Sequence, residues 1–415
     1  MAFRPGTGFR VSSSCIAVEP TADSTWRNVI LMWVTGVLAA AQLAKLSALA
    51  PLLRSQFGMD LPEVGWLVSL LEAGGAMFGF VTGLALPWIG SRRSLLTGLV
   101  LLGVASTMEA FVTDVPSFFI ARGVEAFGYL LVVVAAPTMI VGVVADTATR
   151  SKALALWSTF VPVGVALGNG ITGMTIPVFG LRLVLLLWAV TIMVILIAVT
   201  RFNEPQVRRR SIAWPPMSIW LLTAAFGCYT LFLCALTVLL PSFLVARYAA
   251  SLSISSLIAG GISLAALPGT VIAITVMRRR EASSGHVLLV PGAALLTAAV
   301  MAPFIYRMGG LASTGSMAAL TVILSGISRT FLFTRIPLLS GAAEAGDGRV
   351  AAANGLLTQF GAAGALLGPP LGAMAVVRFG WSGLGVLISI TMLTLLVLLV
   401  AAERSGASLP GRQRR

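Results

Sequence analysis

The chain has 415 residues, of which 58% are hydrophobic and only 10% charged. Its mean hydropathy is +0.97. A soluble domain carries about 25% charged residues, so a water-soluble enzyme, a disordered chain and a disulfide scaffold are all excluded. The formal charge of +14 would suggest nucleic acid in a soluble protein. Here the basic residues fall between apolar runs, so no nucleic-acid partner is expected and membrane topology accounts for the charge.

A bilayer-spanning helix needs about 20 mostly apolar residues. Runs of that size lie near 27–52, 64–88, 94–113, 117–143, 153–174, 181–200, 217–244, 254–277, 286–305, 314–338, 351–376 and 381–402. The expected fold is an all-α integral membrane protein with twelve transmembrane helices in two six-helix bundles. The divisions are an N-terminal tail over 1–25, a bundle over 26–200, a linker over 201–216, a second bundle over 217–402 and a tail over 403–415. No apolar stretch with a small-residue cleavage site marks residues 1–25, so they read as a tail rather than a signal peptide.

Taking both termini as cytoplasmic puts nineteen Lys and Arg residues in inner segments and five in outer loops. That bias predicts both ends inside, and a bacterial inner membrane is the expected location. Trp26, Trp66, Trp88, Trp214 and Trp381 fall at predicted helix ends, as an interfacial aromatic belt requires. Cys15, Cys228 and Cys234 read as free thiols.

An internal repeat appears at an offset of 200. Pro137 pairs with Pro337, Phe160 with Phe360, Gly164 with Gly364, Gly168 with Gly368, Met174 with Met374 and Gly180 with Gly380. Two parallel six-helix halves with a substrate site between them, near the midplane, is the plan of a secondary transporter.

Three motifs sharpen this. Gly83-Leu-Ala-Leu-Pro87-Trp88-Ile-Gly90-Ser91-Arg92-Arg93 follows the second span. It resembles the major facilitator superfamily loop signature Gly-x-x-x-Asp-Arg-x-Gly-Arg-Arg, with Pro87 at the Asp position and Trp88 at the next basic one. Arg122-Gly-Val-Glu125-Ala-Phe-Gly128 is similar to that family's fourth-helix element, and Gly364 to Gly372 with Pro369 and Pro370 to its glycine-proline element. The stretch from Ala155 through Trp157 to Pro162, with Lys45 before Ala50-Pro51, is similar to cyanate-transporter-like members. The resemblance implies a transporter working by alternating access, with a small-molecule substrate, protons and the lipid bilayer as partners, and a monomer.

Seven ionisable residues fall inside predicted spans: Lys45, Glu72, Glu109, Arg122, Glu125, Arg329 and Arg335. Each is costly in mid-membrane and faces a cavity or a partner. Glu109 and Arg122 flank one short turn at matched depth and read as a structural ion pair, with Glu125 on the same face as Arg122. Glu72 and Glu125 are the proton-coupling candidates. Arg329 lies mid-span and cannot lose its proton, so it reads as an anion site or as a bridge to Glu72 or Glu125. Lys45, with Gln42 one turn earlier, joins it as a substrate-binding candidate, and Gln359 and Tyr229 are further ones. Asn169 and Asn354 read as path or packing residues. Arg335 is expected at the cytoplasmic surface or against Glu344 or Asp347. His286 has no second ligand at usable spacing, and nucleotide-binding and nucleophile motifs are missing. No metal, no cofactor and no enzymatic activity are therefore expected.

The expected function is secondary active transport of a small organic or inorganic anion with proton coupling. The alternatives are a proton-driven exporter of lipophilic cations and a non-transporting membrane sensor or assembly protein.

Overall fold

The computed structural model describes residues 22–144, 146–201, 214–279, 288–340 and 348–407. Cys15, the Arg208–Arg210 run, His286, Glu344 and Asp347 lie outside them. The described residues are helical apart from short turns.

In chain order the helices are α1 (Ala22–Phe57), α2 (Leu61–Ser69), α3 (Ala73–Ile89), α4 (Ser91–Ala110), α5 (Val115–Val143), α6 (Thr147–Trp157) and α7 (Phe160–Thr200). Then come α8 (Met217–Tyr248), α9 (Leu252–Leu264), α10 (Ala266–Arg279), α11 (Leu289–Ile305), α12 (Leu311–Leu339) and α13 (Gly348–Ala407). At 1.5 Å per residue, the 41 residues of α7 and the 60 of α13 are each about two bilayer crossings long.

Each is broken at one glycine. Gly180 has φ 72° and Gly380 φ 70°, in the left-handed region that side chains with a Cβ avoid. Around Gly180 the chain doubles back, because Trp188 donates to the Thr172 hydroxyl at 2.9 Å, and the two residues are equally far from the glycine. The two breaks are the repeat partners at offset 200.

Three further spans are interrupted without reversing. A 3-10 turn, Leu70–Glu72, joins α2 to α3. α6 gives way to α7 just before Pro162, and α9 to α10 just before Pro268. A proline removes the N–H that would bond the carbonyl four residues back and is tolerated in a helix's first turn. The last two interruptions stand where that rule puts them. Among the described residues, eight helical stretches are long and apolar enough to cross a membrane, Lys152–Thr200 and Ala352–Gly406 each being about two crossings long, and this arrangement is consistent with the expected twelve. The exterior is apolar, with Val178, Val300 and Val397 exposed, as lipid contact demands.

Acidic and hydroxyl residues start several helices. Asp60 accepts from Glu63 N at 2.7 Å, with Glu63 reaching back. Asp114 accepts from Ser117 N at 2.8 Å, which holds its carboxyl below the usual range. Asp146 caps α6 through Thr149 N, each satisfying an orphan N–H.

The apolar core forms two large clusters, beside a small third one of Ala273, Ala294 and Ile327. One runs from Val29 to Val199, with Val238 added. The other joins Leu61 to residues from Ile219 to Ala402. Each large cluster is organised around one tight helix pair. A Cβ on Gly164 or Gly168 of α7 would meet the Val37 or Ala41 carbonyl of α1 at 2.4 Å. On Gly364 or Gly368 of α13 it would meet the Gly227 carbonyl at 1.9 Å or that of Leu231 at 2.3 Å on α8. Repeat-related glycines therefore let repeat-related backbones touch. The clusters meet where α7 packs on α9, α13 on α2 and α3, and α1 on α8.

Candidate functional site

Lys45 of α1, Glu109 of α4 and Arg122 and Glu125 of α5 form one sealed cluster, with no side-chain exposure. Lys45 Nζ reaches Glu109 Oε2 at 2.6 Å, Glu125 Oε1 at 2.8 Å and Ser106 Oγ at 3.0 Å. Two of the ammonium protons are thereby hydrogen-bonded, to Glu125 and to Ser106. The Glu109 approach is off the hydrogen-bonding direction, and neither of its oxygens has a hydrogen-bond donor, so the attraction there is ionic.

Arg122 binds Glu125 through Nη1. It also donates to the backbone carbonyls of Gln42 at 2.9 Å, Leu67 at 3.2 Å and Val68 at 2.8 Å. The last two lie near the end of α2, where the change to a 3-10 turn frees helix carbonyls and a cation is favoured. Arg122 thus ties α1 and α2 to α5.

The expected Glu109–Arg122 pair is loose, at 3.9 Å. Glu109 belongs to Lys45 and Arg122 to Glu125. The reason is rotational: Glu125 is three residues from Arg122 on one helix face, whereas Glu109 comes from a neighbouring helix facing α1. Lys45 does not share a space with Arg329, as the sequence reading had it, because the two carboxylates enclose it. Gln42 is also buried away from the cavity lining; its Nε2 donates to Leu38 O at 3.2 Å and its Oε1 has no partner.

Glu72 closes the 3-10 turn and is 8% exposed. It interacts with the Tyr129 hydroxyl and feels the charge of Arg122. It also lies within electrostatic reach of Cys234 on α8. Tyr129 is four residues beyond Glu125 and seven beyond Arg122, on the same face of α5. That spacing was available in the sequence as the signal for this partner.

A cavity of about 60 Å³ lies between the two core clusters, bordered by α1, α7, α8, α9, α10 and α12. Its walls are mostly apolar, and Asn169, Cys234 and Arg329 are the notable polar or reactive residues. Arg329, half-buried, donates from Nη2 to the Thr270 hydroxyl at 3.0 Å. Among the described residues no carboxylate lies within salt-bridge distance of it. The bridge to Glu72 or Glu125 is not formed. Tyr229 is buried beside Arg329 and Ser325, with its hydroxyl lacking a hydrogen bond of normal geometry. Gln359 is half-buried at the α3–α13 contact, facing Gly79, and Asn354 is exposed; neither borders the cavity. Thr270 was not singled out from sequence and Cys234 only as a free thiol, since threonine and cysteine in apolar helices carry no distinguishing pattern.

Arg335 is not at a free surface. It forms a two-point pair with Glu403, both contacts 2.5 Å, which fastens α12 to α13. In the loop motif, Gly90 has φ 91°, which explains the glycine. Arg92 donates to the Thr200 carbonyl at 2.6 Å, at the C-terminus of α7 where a cation is favoured. Arg93 is exposed, and Gly83 has open space around it.

The chain is similar in fold to solved transporters. A bacterial homologue of the human lysosomal transporter Spinster, in an inward-facing, occupied conformation, aligns with a TM-score of 0.72 at 14% identity, over 91% of this chain and 95% of that one. Its unoccupied form aligns with a TM-score of 0.71 at 13% identity, over 92% and 96%. Curated relatives include a 4-hydroxybenzoate transporter of Pseudomonas aeruginosa, 26% identical over 47% of this chain and 43% of that one. Another is a putative niacin/nicotinamide transporter of Bacillus subtilis, 26% identical over 44% and 46%. A lincomycin resistance protein of Streptomyces lincolnensis is 23% identical over 42% and 36%. The chain thus spans less than half the length of the curated relatives it matches. The sequence profile described as Major Facilitator Superfamily matches residues 32–347, and with the all-helical, apolar architecture this makes the chain a member of the major facilitator superfamily.

Proposed function

We propose that the protein is a secondary active transporter that carries a small organic anion, together with a proton, between two rocking six-helix halves. The observation that carries this reading is the charge of Arg329, which borders the cavity between the two cores and has no carboxylate against it among the described residues. A guanidinium stays charged, and one facing a low-dielectric space is a binding site for an anion. The mostly apolar walls favour a solute with a hydrophobic body. 4-Hydroxybenzoate, named for one relative, has that chemistry.

Charge balance supports the choice of proton carrier. Lys45 and Arg122 match Glu109 and Glu125 one for one, which leaves Glu72 as the surplus acid among those buried within the spans of the first half. Glu72 is within electrostatic reach of Cys234, which borders the cavity. Glu125, held by two cations, is poorly placed to exchange protons. Moving an anion inward against a negative-inside potential costs about 2.3 kcal/mol per charge per 100 mV, and one cotransported proton cancels that cost. The positive-inside bias supports cytoplasmic termini in an inner membrane, with the monomer as the working unit.

The test is uptake of radiolabelled benzoate and hydroxybenzoates into proteoliposomes under an imposed inward proton gradient. Arg329→Ala is expected to abolish uptake while the protein remains folded. Wild-type uptake by that variant would remove the anion site. Proton-driven efflux of lipophilic cations, insensitive to the same substitution, would favour the exporter reading instead.

A further inference from the structure

Asn169 of α7 borders the same cavity as Arg329 of α12, from the other half of the molecule. It is buried at 1% exposure. Its Nδ2 donates to the Val165 carbonyl at 3.1 Å, one turn back. Its Oδ1 has no partner. The orientation of the amide is fixed by that bond, because turning it over would set two acceptors against each other.

The neighbouring hydroxyls already spend their protons on backbone carbonyls. Ser47 donates to Val238 O, Thr237 to Leu233 O and Ser263 to Ala259 O. Among the described residues around the cavity, Asn169 Oδ1 is the buried side-chain oxygen left without any hydrogen-bond partner. A buried acceptor left unpaired is destabilising, and native proteins rarely leave one without cause.

We infer that Asn169 is a specificity-determining residue, accepting a hydrogen bond from a hydroxyl or N–H group that the transported solute carries apart from its anionic group. The inference rests on the reading of Arg329 as the anion site. The two polar anchors stand on helices of different halves, with Leu43, Val165 and Leu233 among the apolar walls between them. The fitting class is therefore a compact apolar monocarboxylate bearing one donor, such as a hydroxy- or amino-substituted aromatic acid. A solute with both groups would also link the two halves, so its binding would favour the state in which both anchors reach the cavity.

Equilibrium binding to the purified full chain tests this with benzoate, 3- and 4-hydroxybenzoate, and their methoxy analogues, which keep the oxygen and lose the proton. The wild type is expected to bind one hydroxybenzoate about tenfold more tightly than its methoxy analogue. Asn169→Leu is expected to reduce that ratio to about one while still binding benzoate, which also shows that the variant is folded. Equal binding of hydroxy and methoxy acids by the wild type, or an unchanged preference in Asn169→Leu, would overturn the inference. If Arg329→Ala abolishes benzoate binding in that case, the anion site itself stands. If no benzoate binds, or binding survives Arg329→Ala, the anion site falls and Asn169 with it.

Discussion

Lys45 and Arg122 are cations whose charge is met on every side, and Arg329 is one whose charge is not. The difference predicts opposite consequences of removal. Replacing Lys45 or Arg122 with Met leaves buried carboxylates uncompensated, a loss of roughly 3–5 kcal/mol, so these variants should show sharply lower thermal unfolding temperatures in detergent. Arg329→Ala should leave the unfolding temperature close to wild type and remove only ligand effects. Glu72→Gln keeps the shape and holds the group neutral. It should abolish accumulation driven by a proton gradient while sparing substrate counterflow, and intact gradient-driven accumulation would assign the proton elsewhere. The identities of these residues were legible in the sequence, because ionisable groups in apolar runs stand out. Their partners were only half legible. Spacing along α5 gave the Arg122–Glu125 face, but sequence reports depth along α1 and not its rotation, so Lys45 was read as open to the cavity when it is enclosed.

Helix length and interruption follow from a few backbone constraints. Gly180 and Gly380 allow the positive φ that divides α7 and α13, and Pro162 and Pro268 mark where α7 and α10 begin anew. The offset-200 repeat had paired the two turning glycines, and the structure gives the pairing its physical meaning. Gly164, Gly168, Gly364 and Gly368 were also paired in the sequence, though nothing there said which helix each would touch. Valine at Gly368 must displace the α8 backbone, since even a Cβ would lie 2.3 Å from the Leu231 carbonyl. Gly368→Val should therefore fail to give monodisperse protein in size-exclusion chromatography. Gly83→Val, where a Cβ would meet nothing within 4 Å, should behave as wild type. Equal behaviour of the two would contradict close helix contact as the reason for Gly368.

At the scale of the molecule, the account depends on relative motion of the two cores. A Cβ on Gly79 of α3 would lie 3.6 Å from that of Gln359 on α13, within the disulfide range. Gly79→Cys with Gln359→Cys, in a background with the native cysteines replaced, should oxidise readily, arrest transport and recover on reduction. Transport at the wild-type rate by the cross-linked protein would contradict rocking at this contact. The all-helical membrane architecture was legible from hydropathy alone, because lipid forces each crossing to be apolar and helical. The cavity was not, since its lining comes from six helices whose mutual rotation is set by packing.

The central claim is an anion site at Arg329, and ligand-induced thermal stabilisation tests it most directly. Purified wild type and Arg329→Ala would be scanned against benzoates, other small carboxylates, cyanate, nitrate and lipophilic cations. A ligand bound only to the folded state adds about 2.7 kcal/mol at one hundred times Kd. The account predicts that at least one small anion raises the unfolding temperature of the wild type and leaves Arg329→Ala unmoved. Stabilisation of both proteins by lipophilic cations, with no anion acting through Arg329, would contradict it.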